Sequence, residues 1–233
     1  MKILALDSSG LVAGVAVTED DNLLGEYTIN YKKTHSQTLL PMIDEIFSMV
    51  QLKPDDVDVI AVSKGPGSFT GLRIGAATGK GIALALDKKM VAVPTLAAMA
   101  YNLYGDSRYI CPVMDARRKH LYSGIYTFDG DRLITVRDVN LESYDELAEE
   151  LAGLDGQVVL VGDGVDVAGE VLKEQLGDKC VLAPAHIKTQ RAGSVALLAK
   201  QMADNGEYTD ADELKPDYLR PSQAEREKAQ HES

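Results

Sequence analysis

The sequence predicts an α/β protein built as two lobes on one repeated plan, βββαβα, each with a mixed sheet. Two observations carry this. Each half opens with three short strand patterns separated by turn residues, then passes into alternating helix and strand patterns. An aspartate closes the first strand of each half, Asp7 in one and Asp115 in the other. Such a duplication sets two sheets facing one cleft. The N-terminal lobe is expected over 1–104 and the C-terminal lobe over 105–220, with a polar tail over 221–233. The last helix, at about 192–205, is placed to pack back on the first lobe.

In the first half, strands are expected at Ile3–Leu6, Val12–Val17 and Leu23–Ile29, broken by Ser8-Ser9-Gly10 and by Glu19-Asp20-Asp21-Asn22. Leu39, Leu40, Ile43, Ile46, Phe47 and Val50 then form a helical stripe, with Ser36 as candidate N-cap and Pro41 in the first turns. A buried-strand run, Val57–Val62, leads into the loop Ser63–Gly75 and a helix over Leu72–Leu86. A strand at Met90–Val93 and a helix from Thr95 complete the half.

The second half repeats the order. Strands are expected at Tyr109–Met114, Leu121–Phe128 and Arg132–Val139, with Asp129-Gly130-Asp131 as a tight turn. A helix over Ser143–Leu151 carries a capping box from Ser143 to Glu146. The strand Val158–Val161, a Gly162-Asp163-Gly164 loop, a helix over Val165–Leu176, the strand Cys180–Ala183 and a helix over Ala192–Asn205 follow.

Composition narrows the function. At 233 residues, 45% hydrophobic and 26% charged, the chain can bury a substantial core. No apolar run reaches the roughly 20 residues of a membrane helix. Asp7 comes too early for a secretory leader, so a cytoplasmic protein is expected. Cys111 and Cys180 lack metal-type spacing and read as buried thiols. The net charge of −12 argues against this surface as the main grip on a nucleic acid; only Arg117-Arg118-Lys119 is a compact basic cluster.

The glycine loop fits neither familiar nucleotide motif. Gly65, Gly67 and Gly71 are spaced one residue too far for a dinucleotide fingerprint, and Gly75 to Gly81 lacks the spacing and Ser/Thr of a phosphate loop. Within the following helix, Gly75, Gly79 and Gly81 each cost about 1 kcal/mol relative to alanine. Close packing must offset that, either against the chain's own sheet or first helix or against a partner helix.

The two-lobe plan and its paired acids are similar to the actin-like ATPase superfamily of sugar kinases and heat-shock ATPases, with ribonuclease-H-like lobes. Ser63–Gly75, Thr34-His35-Ser36, Val93-Pro94-Thr95-Leu96, Asp115-Ala116-Arg117-Arg118 and Pro216-Asp217-Tyr218-Leu219-Arg220 together resemble the bacterial TsaB (YeaZ) family over essentially residues 1–225. That resemblance implies a non-catalytic subunit that binds and activates TsaD, the enzyme placing threonylcarbamoyl on the adenosine beside the anticodon of transfer RNA. It implies the ATPase TsaE as a further partner, a homodimer when TsaD is lacking, and transfer RNA met mainly through the complex. No cofactor is expected on the chain alone; ATP or ADP is expected, if anywhere, where the subunits meet.

For the interface, Leu39, Ile43, Phe47, Gly71, Arg73, Gly75, Ala76 and Gly79 are the expected residues. Asp7, Ser8, Asp115, Arg117 and Arg118 are expected as remnants of a phosphate site, because bulky cations replace the small residues a backbone cradle requires. His35, His120, His186 and His231 form no i, i+4 pair, so no metal site is expected. No protease motif is present either. Two alternatives stay open: a small ATP-dependent kinase using Asp7 and Asp115, and a stand-alone regulatory homodimer.

Overall fold

The computed structural model describes residues 1–31 and 33–219. Arg220 and the expected polar tail lie outside the described residues. The first half runs β1 (Lys2–Asp7), β2 (Ala13–Glu19), β3 (Asn22–Ile29), α1 (His35–Val50), β4 (Val59–Gly65), α2 (Phe69–Leu86), β5 (Lys89–Pro94) and α3 (Thr95–Ala100). The second runs β6 (Tyr109–Arg117), β7 (His120–Asp129), β8 (Arg132–Ser143), α4 (Tyr144–Ala152), β9 (Val158–Val161), α5 (Val165–Leu176), β10 (Cys180–Leu182), α6 (Ala185–Lys188) and α7 (Ala192–Asp204).

Two five-stranded sheets result, ordered β3-β2-β1-β4-β5 and β10-β9-β6-β7-β8. In each, the hairpin strands pair antiparallel and the strands reached by helical crossovers pair parallel. Central strands are buried on both faces, which is why they read as unbroken apolar runs. Leu4 and Leu6 of β1 point into the cluster with Leu39, Ile43 and Phe47 of α1, while Ile3 and Ala5 meet Val195, Ala196 and Ala199 of α7. In the second sheet, Val158 and Leu160 face Leu147 and Leu172 of α4 and α5, and Val159 and Val161 face Leu96 and Met99 of α3. Helices α3 and α7 therefore pack on the inner faces of the lobes.

Several boundaries differ from the sequence expectation. Helix α1 starts at His35 with Thr34, not Ser36, as N-cap; the Gln37 side chain accepts from the Thr34 N–H at 3.4 Å. Pro41 consequently sits in the second turn. Helix α2 begins at Phe69 because the Ser68 hydroxyl accepts from the Gly71 N–H at 3.3 Å, so its first turn is made from the glycine loop. Strand β6 continues past Met114 to Arg117, leaving only Arg118 and Lys119 in the turn. The short α6 was not anticipated; Pro184 precedes its four residues.

Beyond α7 the chain returns to the first lobe as a strap. The Thr209 N–H donates to Met90 at 2.9 Å, Leu214 is buried, and the Asp217 N–H donates to Lys64 at 2.7 Å. Among the described residues no helix is long and apolar enough to cross a membrane.

Candidate functional site

A cleft of about 430 Å³ opens between the lobes, at the carboxyl ends of β1, β6 and β9, where open α/β sheets place their ligands. Its walls are the β1–β2 turn (Ser9, Gly10, Leu11), the start of α2, the end of β6, the β9–α5 turn and the strap.

On the N-terminal side the turn expected as a remnant of a phosphate site is filled by the chain itself. Asp7 is only 1% exposed: its Oδ1 accepts from the Ser9 N–H (2.8 Å) and hydroxyl (2.6 Å), and its Oδ2 from the Ser63 hydroxyl (2.7 Å). Burial pushes the Asp7 carboxyl up, while the Ser9 and Ser63 donors and nearby His35 pull against it. The glycine loop closes over this turn. Ser68 donates its N–H to the Ser9 carbonyl at 2.6 Å, and the Ser8 hydroxyl donates to Gly71 at 2.9 Å. A methyl group on Gly71 would be driven into the Ser8 carbonyl oxygen, so glycine is obligatory at this approach. His35 donates from Nε2 to Gly10 at 2.9 Å, tying the start of α1 to the same turn.

The C-terminal side is built differently. Asp115 accepts from the Arg117 N–H at 2.8 Å, repeating the geometry of Asp7 and Ser9, and its other oxygen pairs with the Arg117 guanidinium at 3.1 Å. Arg117, Arg118 and Lys119 have φ of 67°, 57° and 58°, left-handed values that cost non-glycine residues about 1 kcal/mol or more each. All three side chains are exposed. Across from Asp115, Asp163 has an Oδ1 that is buried without a hydrogen-bond partner among the described residues. Burial, and then the Asp115 charge, push its carboxyl up to about 6.

The strap completes the wall. Tyr218 packs on Phe69 with centroids 4.6 Å apart, and Arg73 stacks over Phe69 at 3.9 Å while donating from Nε to the Tyr218 hydroxyl at 3.0 Å. Gly65, at φ 127°, leaves room for the Asp217 carbonyl, which would lie 2.6 Å from a Cβ there.

The residues expected at a partner interface need correction. Leu39 is in the core, and Gly71, Gly75, Ala76 and Gly79 face inward onto the chain's own first sheet and turn. Their small size serves packing against Ser8 and Val62, so no partner helix can lie on that face. Ile43 and Phe47 are also buried but floor a shallow groove between α1 and α2, bordered by Leu40, Leu52 and Ile82. Arg73 is exposed and engaged with the strap. Asp115 and Arg117 line the cleft, whereas Asp7 and Ser8 are buried behind Ser9, which lines it from the other side, and Arg118 is outside the lining. The sequence marks Asp163 only as part of the Gly162-Asp163-Gly164 loop. Its position, an acid after the second parallel strand of its lobe, was the available signal.

The match to known proteins follows this geometry. The family model for TsaD, tRNA N6-adenosine threonylcarbamoyltransferase, matches residues 22–228. The tRNA threonylcarbamoyladenosine biosynthesis protein TsaB of Bacillus subtilis (strain 168) is 32% identical over 97% of this chain and 96% of its own length. This chain belongs to the TsaB (YeaZ) family. The structure of YeaZ from Pseudomonas aeruginosa superposes with a TM-score of 0.81 at 27% identity, over 94% of this chain and 99% of that one. The ROK hexokinase of Thermus thermophilus superposes at 0.50 and 13% identity, covering 88% of this chain and all of its own; that likeness is one of fold, the actin-like ATPase fold of the sugar kinases. Within that fold, the family member described here has covered the Asp7 turn with its own glycine loop. Among the described residues no group of three or more His, Cys, Asp or Glu is placed to hold a metal ion.

Proposed function

We propose that this chain takes part in making threonylcarbamoyladenosine in transfer RNA as a non-catalytic subunit that binds and activates a TsaD-type transferase, with TsaE joining the assembly. The observation that carries the non-catalytic reading is the filled phosphate turn. Phosphoryl transfer needs backbone N–H groups and an acid free to approach the phosphates. Here Asp7 is sealed beneath Ser9, Ser63 and the glycine loop. The same seal weighs against the kinase alternative. The name carried by the Bacillus subtilis relative supports the pathway.

The partner surface in this reading is the outer face of α1 and α2. Leu40 and Met49 of α1 and Leu84 of α2 are exposed apolar residues, and the groove floored by Ile43 and Phe47 lies between them. On α2, Ala77, Gly81 and Ala85 form an exposed stripe at i, i+4 and i+8, and nothing lies within 4 Å of a Cβ at Gly81. Small residues on that side let a partner helix come close.

The test is reconstitution with purified TsaD-type transferase, TsaE, transfer RNA and threonylcarbamoyl-adenylate, scored as modified adenosine. Product should depend on this chain. The Gly81→Leu variant, folded by circular dichroism, should bind the transferase at least about tenfold more weakly. Equal product without the chain would overturn the activating role, and unchanged binding by the variant would overturn this surface.

A further inference from the structure

We infer that the cleft between the lobes is a second docking site, one that receives a Lys or Arg carried on an apolar segment of a protein partner. It lies apart from the α1–α2 face and does not rest on the activating role proposed above.

The cleft carries four exposed apolar side chains beside the exposed Arg117. Leu11 is 62% exposed, Val167 46%, Leu219 45% and Tyr218 40%. They come from three separate parts of the chain, the β1–β2 turn, α5 and the strap, yet all line one cleft. Single exposed apolar side chains are ordinary, whereas a convergent ring of them around a concavity marks a surface that something covers. A small polar ligand would leave that ring wet. A peptide segment covers it.

The interior specifies the charge. Of the acids lining the cleft, Asp115 is paired with Arg117, Asp217 with Lys64 at 3.1 Å and Asp166 with Lys188 at 2.5 Å. Among the described residues Asp163 is the one of these acids without a cation partner, and its Oδ1 is also without a hydrogen bond. A buried acceptor left unmade costs roughly 1–3 kcal/mol, and with the Asp115 carboxylate beside it Asp163 adds negative charge that a cation entering the cleft offsets. An apolar ring around one uncompensated carboxylate matches a guanidinium or ammonium flanked by apolar side chains, with a carboxylate–cation bond at the centre and a dry rim. Phosphate-bearing ligands fit poorly, because the same carboxylates repel them and the Asp7 turn offers no cradle.

The probe is acetyl-Leu-Arg-Leu-amide, titrated into the full chain and followed by methyl NMR, with the citrulline peptide of the same shape as control. Saturable shifts are expected at the methyls of Leu11, Val167 and Leu219, with the arginine peptide at least about tenfold tighter than the citrulline one. Asp163→Asn should abolish that preference, whereas Gly81→Leu should leave it intact. Equal affinity for the two peptides, no saturable shift at these methyls up to about 5 mM peptide, or an unchanged preference in Asp163→Asn would overturn the site. Unchanged transferase binding by Gly81→Leu with the peptide preference intact would count against the α1–α2 surface alone.

Discussion

The two turns that face each other across the cleft start from the same residue and end in opposite states. Asp7 and Asp115 each close the first strand of a lobe, and each accepts the N–H two residues on. In the N-terminal lobe the neighbouring parallel strand supplies a hydroxyl, Ser63, and the glycine loop buries the whole arrangement. In the C-terminal lobe the corresponding neighbour supplies a second acid, Asp163, and three exposed cations beyond Asp115 adopt left-handed conformations. The same local geometry is thus a structural seal on one side and an open, charged wall on the other. What decides between them is the side chain next door, because a hydroxyl satisfies a buried carboxylate and a second carboxylate opposes it.

The seal can be broken at Gly71. A Cβ there collides with the Ser8 carbonyl, a backbone atom that cannot swing aside, so Gly71→Ala should cost about 3 kcal/mol or more. For a chain of this size that lowers the melting temperature by roughly 6–12 °C. A variant melting within about 2 °C of the parent would show that the loop is not seated on the turn.

The open side should respond in the other direction. Folded Asp163 holds its proton up to about 6, against 3.8 for an ordinary aspartate carboxyl. The raised value favours the folded state below the unfolded pKa, and that advantage is lost as the pH rises through about 6, leaving a penalty of up to about 3 kcal/mol at neutral pH. Asp163→Asn should therefore raise stability to urea near neutral pH by about 2 kcal/mol, with the gain shrinking toward pH 4. A gain independent of pH would mean that Asp163 is not held protonated by its surroundings.

The succession of elements along the chain, the repeat and both acids were legible in the sequence because buried parallel strands and hairpin turns leave local patterns. Val158–Val161 and Val165–Leu176 match to the residue. The direction each glycine faces was not legible. Gly75, Gly79 and Gly81 look alike in a helical run, but only the position of Val62 and Ser8, brought in from β4 and the β1–β2 turn, decides which of them is needed. The strap was hidden for the same reason: Asp217 and Tyr218 meet Lys64, Phe69 and Arg73 across more than a hundred residues, and no local periodicity records that. Asp163 sat inside a plain Gly-Asp-Gly loop whose meaning depends on Asp115 of a different strand.

Ser63 tests the hydroxyl side of the comparison more gently. Ser63→Ala removes one of three donors to a fully buried carboxylate, which should cost about 1–3 kcal/mol and push the Asp7 carboxyl further up. Since a raised carboxyl pKa disfavours the folded state increasingly as the pH rises, the loss should be larger at pH 8 than at pH 5. Urea titrations at both values would measure it, and an equal loss at the two would remove Asp7 ionisation from the account.

The smallest effect separates inward from outward glycines on α2. Gly79 lies against Val62 and Met90, whereas a Cβ on Gly81 meets nothing within 4 Å. Gly81→Ala gains helix propensity with no collision, so the free chain should be stabilised by about 0.5–1 kcal/mol, or roughly 1–4 °C. Gly79→Ala should be destabilising in the same experiment, because Val62 must move. Paired thermal melts settle it: if both substitutions shift stability the same way, the inward and outward faces of α2 are not as drawn, and the small-residue stripe offered to a partner on Ala77, Gly81 and Ala85 goes with them.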